Sequence, residues 1–214
     1  MALSVASKGF FPDSGFVSRE TWEKLHRYAE LVRKWQASIN LISPKTLPEL
    51  WERHILDSLQ LFRLRPEPLT WLDMGSGAGF PGLVTAICLA EKGQGWVHLV
   101  ESNNKKAAFL RQIILETGAR GSVHPLRVED ARAKLGKIDA ISARALASLP
   151  ELLGYASIYA ADNPSLEMWF HKGLDYLGEI RSARDQWGFD LIEHPSLAQD
   201  GSAILEISNL SKRN

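Results

Sequence analysis

The chain has 214 residues, 45% apolar and 23% charged, with 25 Lys plus Arg balanced by 25 Asp plus Glu. That composition suits one globular domain with an appendage and excludes a disordered chain. Zero net charge argues against a uniformly basic nucleic-acid binder, and the single cysteine, Cys88, rules out an internal disulfide or a cysteine-based metal site.

The amino terminus shows no charged segment leading into an apolar core, and the run Leu83 to Ala90 is too short to span a bilayer. A cytoplasmic protein without a membrane partner is therefore expected. Residues 18 to 36 set Trp22, Leu25, Tyr28, Leu31, Val32 and Trp35 at helical spacing behind Ser18, a good N-cap, which predicts an amphipathic helix. A second helix is predicted from Thr46, with Thr46 and Glu49 as a capping box around Pro48, to about Phe62. Pro66 and Pro68 break the pattern. Residues 1–65 therefore read as an N-terminal helical cap and 66–214 as the main domain.

From Leu69 short apolar runs alternate with helical stretches, the pattern of a mostly parallel sheet covered on both faces. Strands are predicted at 69–74, 96–100, 123–128, 138–142, 166–170, 188–193 and 203–208. Pro125 cannot donate to a central ladder, so the third strand belongs at an edge. The last two strands are joined through Pro195 and Gly201 without room for a helical crossover, which predicts an antiparallel pair.

The first strand runs into Asp73-Met74-Gly75-Ser76-Gly77-Ala78-Gly79-Phe80-Pro81-Gly82, a turn through four glycines into an apolar helix. Glycines allow close backbone approach, and a helix start offers unpaired N–H groups, so the segment marks a nucleotide-type cofactor site. Gly77 to Gly82 also fits G-x-G-x-x-G, which leaves a dinucleotide and S-adenosylmethionine as alternatives. A fixed negative charge at Asp73 would repel a pyrophosphate but attract an ammonium, favouring S-adenosylmethionine. Glu101 ends the second strand 22 residues after Gly79, close to the spacing at which an acid meets ribose hydroxyls in either cofactor.

Charge is uneven: residues 101–137 carry 8 Lys plus Arg against 4 acids, whereas 138–214 carry 6 against 11. A basic stretch beside the glycine loop, with Lys105, Lys106 and Arg111, suits a polyanionic substrate as well as a solvated helix face. His54, Asp57 and Ser58 crowd onto one helical turn, which does not make a hydrolase triad. Pairing of Arg53 with Asp57, and of His54 with Ser58, would instead tie the cap to the domain and border the substrate mouth. The six histidines show no ligand spacing, so no metal is expected.

Several runs are more specific. They are Asn40-Leu41, Arg53-His54-Ile55-Leu56-Asp57-Ser58-Leu59, the loop ending Gly79-Phe80-Pro81-Gly82, Glu101-Ser102, Lys105-Lys106, Phe109-Leu110, Arg127-Val128-Glu129-Asp130 and Ser142-Ala143-Arg144-Ala145. On these the chain resembles, over nearly its whole length, the bacterial RsmG (GidB) family of 16S ribosomal RNA guanine-N7 methyltransferases. The family ordinarily has an apolar residue before Lys-Gly after the fifth strand, where this chain has His171-Lys172-Gly173.

The resemblance implies a Rossmann-like class I methyltransferase fold, a seven-stranded mostly parallel sheet of order 3-2-1-4-5-7-6 with an N-terminal helical cap. It implies S-adenosylmethionine as cofactor, 16S ribosomal RNA or the 30S particle as partner, and a monomer. By the same resemblance Asp73, Gly75, Gly77, Gly79 and Phe80 form the cofactor loop, with Gly75 and Phe80 at the methionine end. Glu101 would bind the ribose, and Val128 and Glu129 the adenine. Arg144 would close the pocket as cofactor ligand and catalytic residue, and Arg53, His54, Lys105 and Lys172 would meet substrate, Lys172 at a backbone phosphate. Phe80 and Trp51 are possible stacking partners for a base. The fourth strand is not followed by Asp/Asn-Pro-Pro-aromatic, which disfavours an exocyclic amine as acceptor. The alternatives are a methyltransferase acting on a small molecule or protein, an NAD-linked oxidoreductase, and a non-catalytic RNA-binding relative.

Overall fold

The computed structural model describes residues 16–213. The cap begins with helix α1 (Arg19–Gln36), opened by the Ser18 hydroxyl accepting from the Thr21 amide at 3.2 Å. Its inward face buries Leu25, Tyr28 and Val32 completely. The Thr21 hydroxyl donates to Glu91 at 2.6 Å, so the start of the cap is pinned to a helix of the main domain.

The second predicted helix is three pieces: a 3₁₀ turn (Leu47–Glu49), a π-helical segment (Trp51–Leu56) and α2 (Asp57–Leu64). The expected capping box is absent, because the Thr46 hydroxyl donates to the Ser43 carbonyl at 3.0 Å and lies 3.0 Å from His54 Nε2. The wider π turn also removes the i,i+4 stacking on which the Arg53–Asp57 and His54–Ser58 side-chain pairs depended. Arg53 turns to Glu49 and Gln199, and Ser58 donates to the His54 carbonyl.

The main domain alternates β1 (Thr70–Met74), α3 (Gly82–Lys92), β2 (Trp96–Val100), α4 (Asn104–Thr117), β3 (Gly121–His124), α5 (Val128–Ala131), β4 (Ala140–Arg144) and α6 (Leu149–Ala160). It closes with β5 (Glu167–Lys172), α7 (Tyr176–Arg184), β6 (Trp187–Pro195) and β7 (Ala203–Lys212). The seven strands form one sheet in the order β3-β2-β1-β4-β5-β7-β6, parallel except that β7 runs antiparallel to both neighbours. This is the expected class I methyltransferase arrangement. β3 stops at His124, one residue short of Pro125, so the proline lies outside the ladder while the strand keeps its predicted edge place. β4 runs two residues beyond the predicted end, because Ala143 and Arg144 still pair with Phe170 and His171.

Both sheet faces are covered. One core joins α1 and the 41–62 region to Trp71, Val97, Leu99 and Phe109, so the cap and this face share a continuous apolar interior. The other gathers Leu72, Met74, Ile141, Met168 and Phe170 beneath α6 and the β6–β7 pair. Cys88 is buried in the first core, where desolvation raises its thiol pKa, as befits a packing residue. The Arg65 guanidinium holds Glu167 bidentately at 2.6 and 2.8 Å, fastening the end of the cap to β5.

Candidate active site

β1 ends at Met74 and the chain turns through Gly75, Gly77 and Gly79, all at positive φ, before entering α3. At Gly75 the Leu146 side chain occupies the place of a side chain, 2.5 Å from an ideal Cβ. At Gly79, φ is +99° and a Cβ would stand 2.4 Å from Leu83 Cδ1 and 2.7 Å from the Tyr28 hydroxyl. The cap grips this loop from above. Tyr28 donates to the Ala78 carbonyl at 2.5 Å, and Tyr28 and His54 both pack on the Phe80 ring with centroids 5.1 Å apart.

Asp73 lies behind the loop rather than facing ligand space. It is fully buried and accepts from the Ser142 hydroxyl at 2.7 Å, and Gly82 leaves no room for a Cβ beside its carboxylate. Burial pushes its pKa up to about 6, against the pull of Ser142, Ser76 and the Gly82 amide. Asp73 thus braces the strand-to-helix turn, and the direct ammonium contact expected of it is not what this geometry offers.

In front of the loop lies a cavity of about 560 Å³, within the usual size range for a small-molecule cofactor. Gly75, Gly77, Phe80, Glu101, Val128, Glu129, Arg144 and His54, all named above as candidate site residues, line it. The carboxyl ends of the strands bring them together, where open α/β sheets place their ligands. Glu101 accepts from the Gly77 amide at 2.8 Å and the Asn103 amide at 2.7 Å and is 8% exposed. Those two bonds leave about two of its four lone-pair positions free for further donors.

Arg144 forms the wall between cap and sheet. Its Nη2 donates to the Arg53 carbonyl at 2.7 Å and its Nη1 stands 3.3 Å from Asp57 Oδ2. Asp57 is held further by the Ser196 hydroxyl at 2.8 Å.

Four other expectations change. Gly79 does not line the cavity but serves the packing of Leu83 and Tyr28. Lys105 is exposed outside the mouth, whereas Lys106, one residue further around α4, lines it. Arg53 lies outside this cavity, turned to Gln199. Lys172 is 9% exposed and committed to Glu179 at 2.5 Å and the Ala147 carbonyl at 2.9 Å, so it is not a free phosphate contact. Nor are the two proposed stacking aromatics open. Phe80 lies between Tyr28 and His54, and Trp51 stacks on His26 at 4.2 Å.

Other lining residues were not anticipated: Ile42, Ser43 and Thr46 of the cap, Ala145 and Leu146 after β4, and Tyr155 on α6. Only Ala145 carried any signal, standing just after a strand tip. It adopts φ +53°, an uncommon conformation for a residue with a Cβ, and so turns Leu146 back over Gly75.

Residues 21–205 match the model of the family described as GidB, rRNA small subunit methyltransferase G. The chain belongs to the GidB family. A ribosomal RNA small subunit methyltransferase G from Rhizobium meliloti is 58% identical over 198 residues, covering 92% of this chain and 93% of that one. Its counterpart from Allorhizobium ampelinum is 56% identical over 196 residues, covering 92% and 93%. Among solved structures, a putative O-methyltransferase from Klebsiella pneumoniae superposes with a TM-score of 0.58 at 14% identity, over 94% of this chain and 93% of that one. A ribosomal protein L11 methylase from Lactobacillus delbrueckii subsp. bulgaricus gives 0.53 at 22% identity, over 72% and 76%. These structural likenesses agree on the fold, and GidB membership decides the methyltransferase reading over a dehydrogenase.

Among the described residues, no helix is long and apolar enough to cross a membrane, and no group of three or more His, Cys, Asp or Glu is placed to hold a metal ion.

His54 offers a pH test of this GidB site. Burial, with Arg144 and Arg53 adding to it against Asp57, lowers its pKa to about 3. The unfolded chain therefore binds the imidazole proton more tightly, and folding stability is lost as pH falls from about 6.5 toward 3, at up to ~1.4 kcal/mol per unit. Urea unfolding of His54→Gln and the parent chain between pH 7 and 4 should give a shallower slope for the variant; parallel curves would refute the assignment.

Proposed function

We propose that this chain transfers the methyl group of S-adenosylmethionine to N7 of a guanine in 16S ribosomal RNA, acting in the cytoplasm as a monomer on free RNA or the 30S particle. The observation that carries this reading is the cavity itself, walled by the glycine loop, Glu101, the Val128–Glu129 turn and Arg144 in a GidB chain.

The cavity suits the cofactor. Gly77 adds no side chain beside the cavity, Gly75 makes room for Leu146, and the free lone pairs of Glu101 match two ribose hydroxyls. Val128, 9% exposed, offers an apolar surface for a purine, with Glu129 beside it. When bound, S-adenosylmethionine supplies an electrophilic methyl on a sulfonium centre.

The residues themselves position and exclude. N7 of guanine has an in-plane lone pair and needs no deprotonation, so the neutral His54 and the ion-paired Arg144 have no proton to remove. Arg144 cannot donate to N7 while N7 attacks, which leaves O6 or a phosphate as its partner on substrate. The cap residues Ile42, Ser43, Thr46 and His54 form one side of the cavity, and alignment there of cofactor and base would be worth about 7–11 kcal/mol when reactants are held ready to react. Lys106 and Arg127, which line the cavity, would meet RNA phosphates.

Methyl transfer from labelled S-adenosylmethionine to undermethylated 30S particles and to free 16S RNA, followed by nucleoside analysis, tests the reading. Label recovered as 7-methylguanosine supports it. Tight cofactor binding with no transfer to either RNA would overturn it in favour of a small-molecule or protein acceptor.

Glu101→Gln checks the cofactor assignment separately. The amide keeps one acceptor oxygen where two are in use, so the Gly77 or Asn103 amide loses its partner and one hydroxyl acceptor disappears. The Kd for S-adenosylmethionine by calorimetry should rise at least tenfold with the fold intact.

A further inference from the structure

The cavity takes only Lys106 and Arg127 from the basic stretch of residues 101–137. Three further cations of that stretch, Arg111, Arg120 and Lys134, gather at the open side of the sheet. There β3 pairs with β2 alone, so no strand covers its outer side among the described residues. Arg111 comes from α4, which packs on the sheet face shared with the cap, and Lys134 from the turn after α5, which packs on the opposite face. Burial lowers the pKa of His124 at the end of β3, and the charges acting on it are Arg111 and Lys134, which lower it further. The two cations therefore flank the edge from either face.

None of the three is committed at its charged end. Arg111 and Lys134 are exposed, with no side-chain hydrogen bond or ion pair among the described residues. Arg120 is held by its stem: its Nε donates to the Gly95 carbonyl at 3.0 Å and its guanidinium lies 5.7 Å from the Trp96 ring centroid. Its Nη atoms have no partner among the described residues. A guanidinium fixed in place with its fork free suits a phosphate.

Acids do not cancel this charge. Glu116 belongs to Arg27, while Arg132 and Lys137 are spent on Asp162 and Asp139. What remains of the stretch is Lys105, Lys106, Arg111, Arg120, Arg127 and Lys134 against Glu101, Glu129 and Asp130, an excess of three positive charges.

The polar groups between the cations serve one another. Trp96 Nε1 donates to the Ser122 hydroxyl at 3.1 Å, and His98 Nδ1, His124 Nε2 and that hydroxyl lie 3.0–3.1 Å apart. The edge thus offers cations and no free group for reading a base, a surface for the phosphates of a polyanion whatever its sequence. It is also continuous with the site, because β3 leads through Pro125 to Leu126 and Arg127 in the cavity wall. From Arg120 to Arg127 the chain spans at most about 25 Å, enough for several consecutive phosphates.

We propose that the β3 edge is a second RNA-contacting surface, on which the backbone of a helical segment next to the target nucleotide lies with its phosphates against Arg111, Arg120 and Lys134. A helical segment fits because double-stranded RNA is recognised through shape and backbone rather than through bases. The identification of the polyanion as substrate RNA rests on the proposed function; the anion preference of the edge does not.

Two double variants of the full chain test this surface. Arg111→Gln with Lys134→Gln removes two edge cations. Arg181→Gln with Lys212→Gln removes two exposed cations from the β6–β7 side, so the net charge falls equally. Binding of 16S RNA is measured by filter retention between about 50 and 200 mM KCl, a range over which phosphate contacts weaken steeply. The edge pair should raise the Kd for RNA about tenfold and flatten the slope of log Kd against log salt by about 1.4–1.8, at about 0.7–0.9 per lost contact. The control pair should change Kd less than twofold, and the Kd for S-adenosylmethionine should be unchanged in both. Equal weakening by the two pairs would reduce the effect to overall charge and overturn the surface, as would no weakening by the edge pair. Methyl transfer to 30S particles separates this inference from the reading beneath it. KM for RNA should rise about tenfold in the edge pair with kcat falling less than threefold. An active parent whose KM the edge pair leaves unchanged would overturn the surface alone. A parent that binds RNA through the edge yet methylates none would overturn the proposed function alone, and one that binds no RNA would overturn both.

Discussion

Replacing Gly79 by alanine is expected to lower folding stability by about 2–5 kcal/mol and to abolish cofactor binding. Two costs add. A non-glycine residue at positive φ costs about 1–2 kcal/mol, and φ here is +99°, beyond the left-handed helical well. Overpacking a filled interior adds about 1–3 kcal/mol, since the new methyl would lie 2.4 Å from Leu83 and 2.7 Å from the Tyr28 hydroxyl. Tyr28 is the group that holds Ala78, so yielding to the methyl would disturb the loop as a whole. Gly93→Ala is the natural control: φ is +66° there, but nothing lies within 4 Å of an added Cβ. Urea titration of both variants should show Gly79→Ala clearly the worse, and equal losses would mean that the contacts with Leu83 and Tyr28 do not matter.

Arg144→Ala should cost about 3–5 kcal/mol of stability and reduce methyl transfer by about 10²-fold. Removing one partner of a buried ion pair leaves the other charge without compensation, and Asp57 is 6% exposed. Loss of the bond to the Arg53 carbonyl also frees the cap from β4, and misplacement of about 1 Å at a reacting centre is enough for that loss of rate. The double variant Arg144→Met, Asp57→Leu separates the two roles. A well-packed apolar pair can replace a buried ion pair at little cost, so stability should recover while transfer stays low. Recovery of both would show that Arg144 serves the fold alone.

The two variants differ in how far their reasons could be read without a structure. The glycine loop, its position after an apolar strand and the acid 22 residues on were visible as a local pattern, and so was the cofactor class. The edge place of the third strand and the antiparallel last pair were readable from Pro125 and from the short final connection, whereas the full strand order came with the family resemblance. By contrast Asp73 was legible as an acid but not as a brace, because nothing local reveals that Ser142 and Gly82 enclose it. The same holds for the cap helix at Thr46, where a capping box written in the sequence lost to contacts with Ser43 and His54.

Taken alone, the sequence determined the first helix, the alternation of strands with helices, the cofactor loop and the family, because backbone sterics and the burial periods of helix and strand act over a few residues. Tertiary structure alone decided that Lys106 rather than Lys105 reaches the mouth, that Lys172 belongs to Glu179, and that Arg144 meets Asp57 across 87 residues. A charged side chain is satisfied by whichever partner packing brings near, and when that partner sits on another element its identity exists only once the layers have closed on one another.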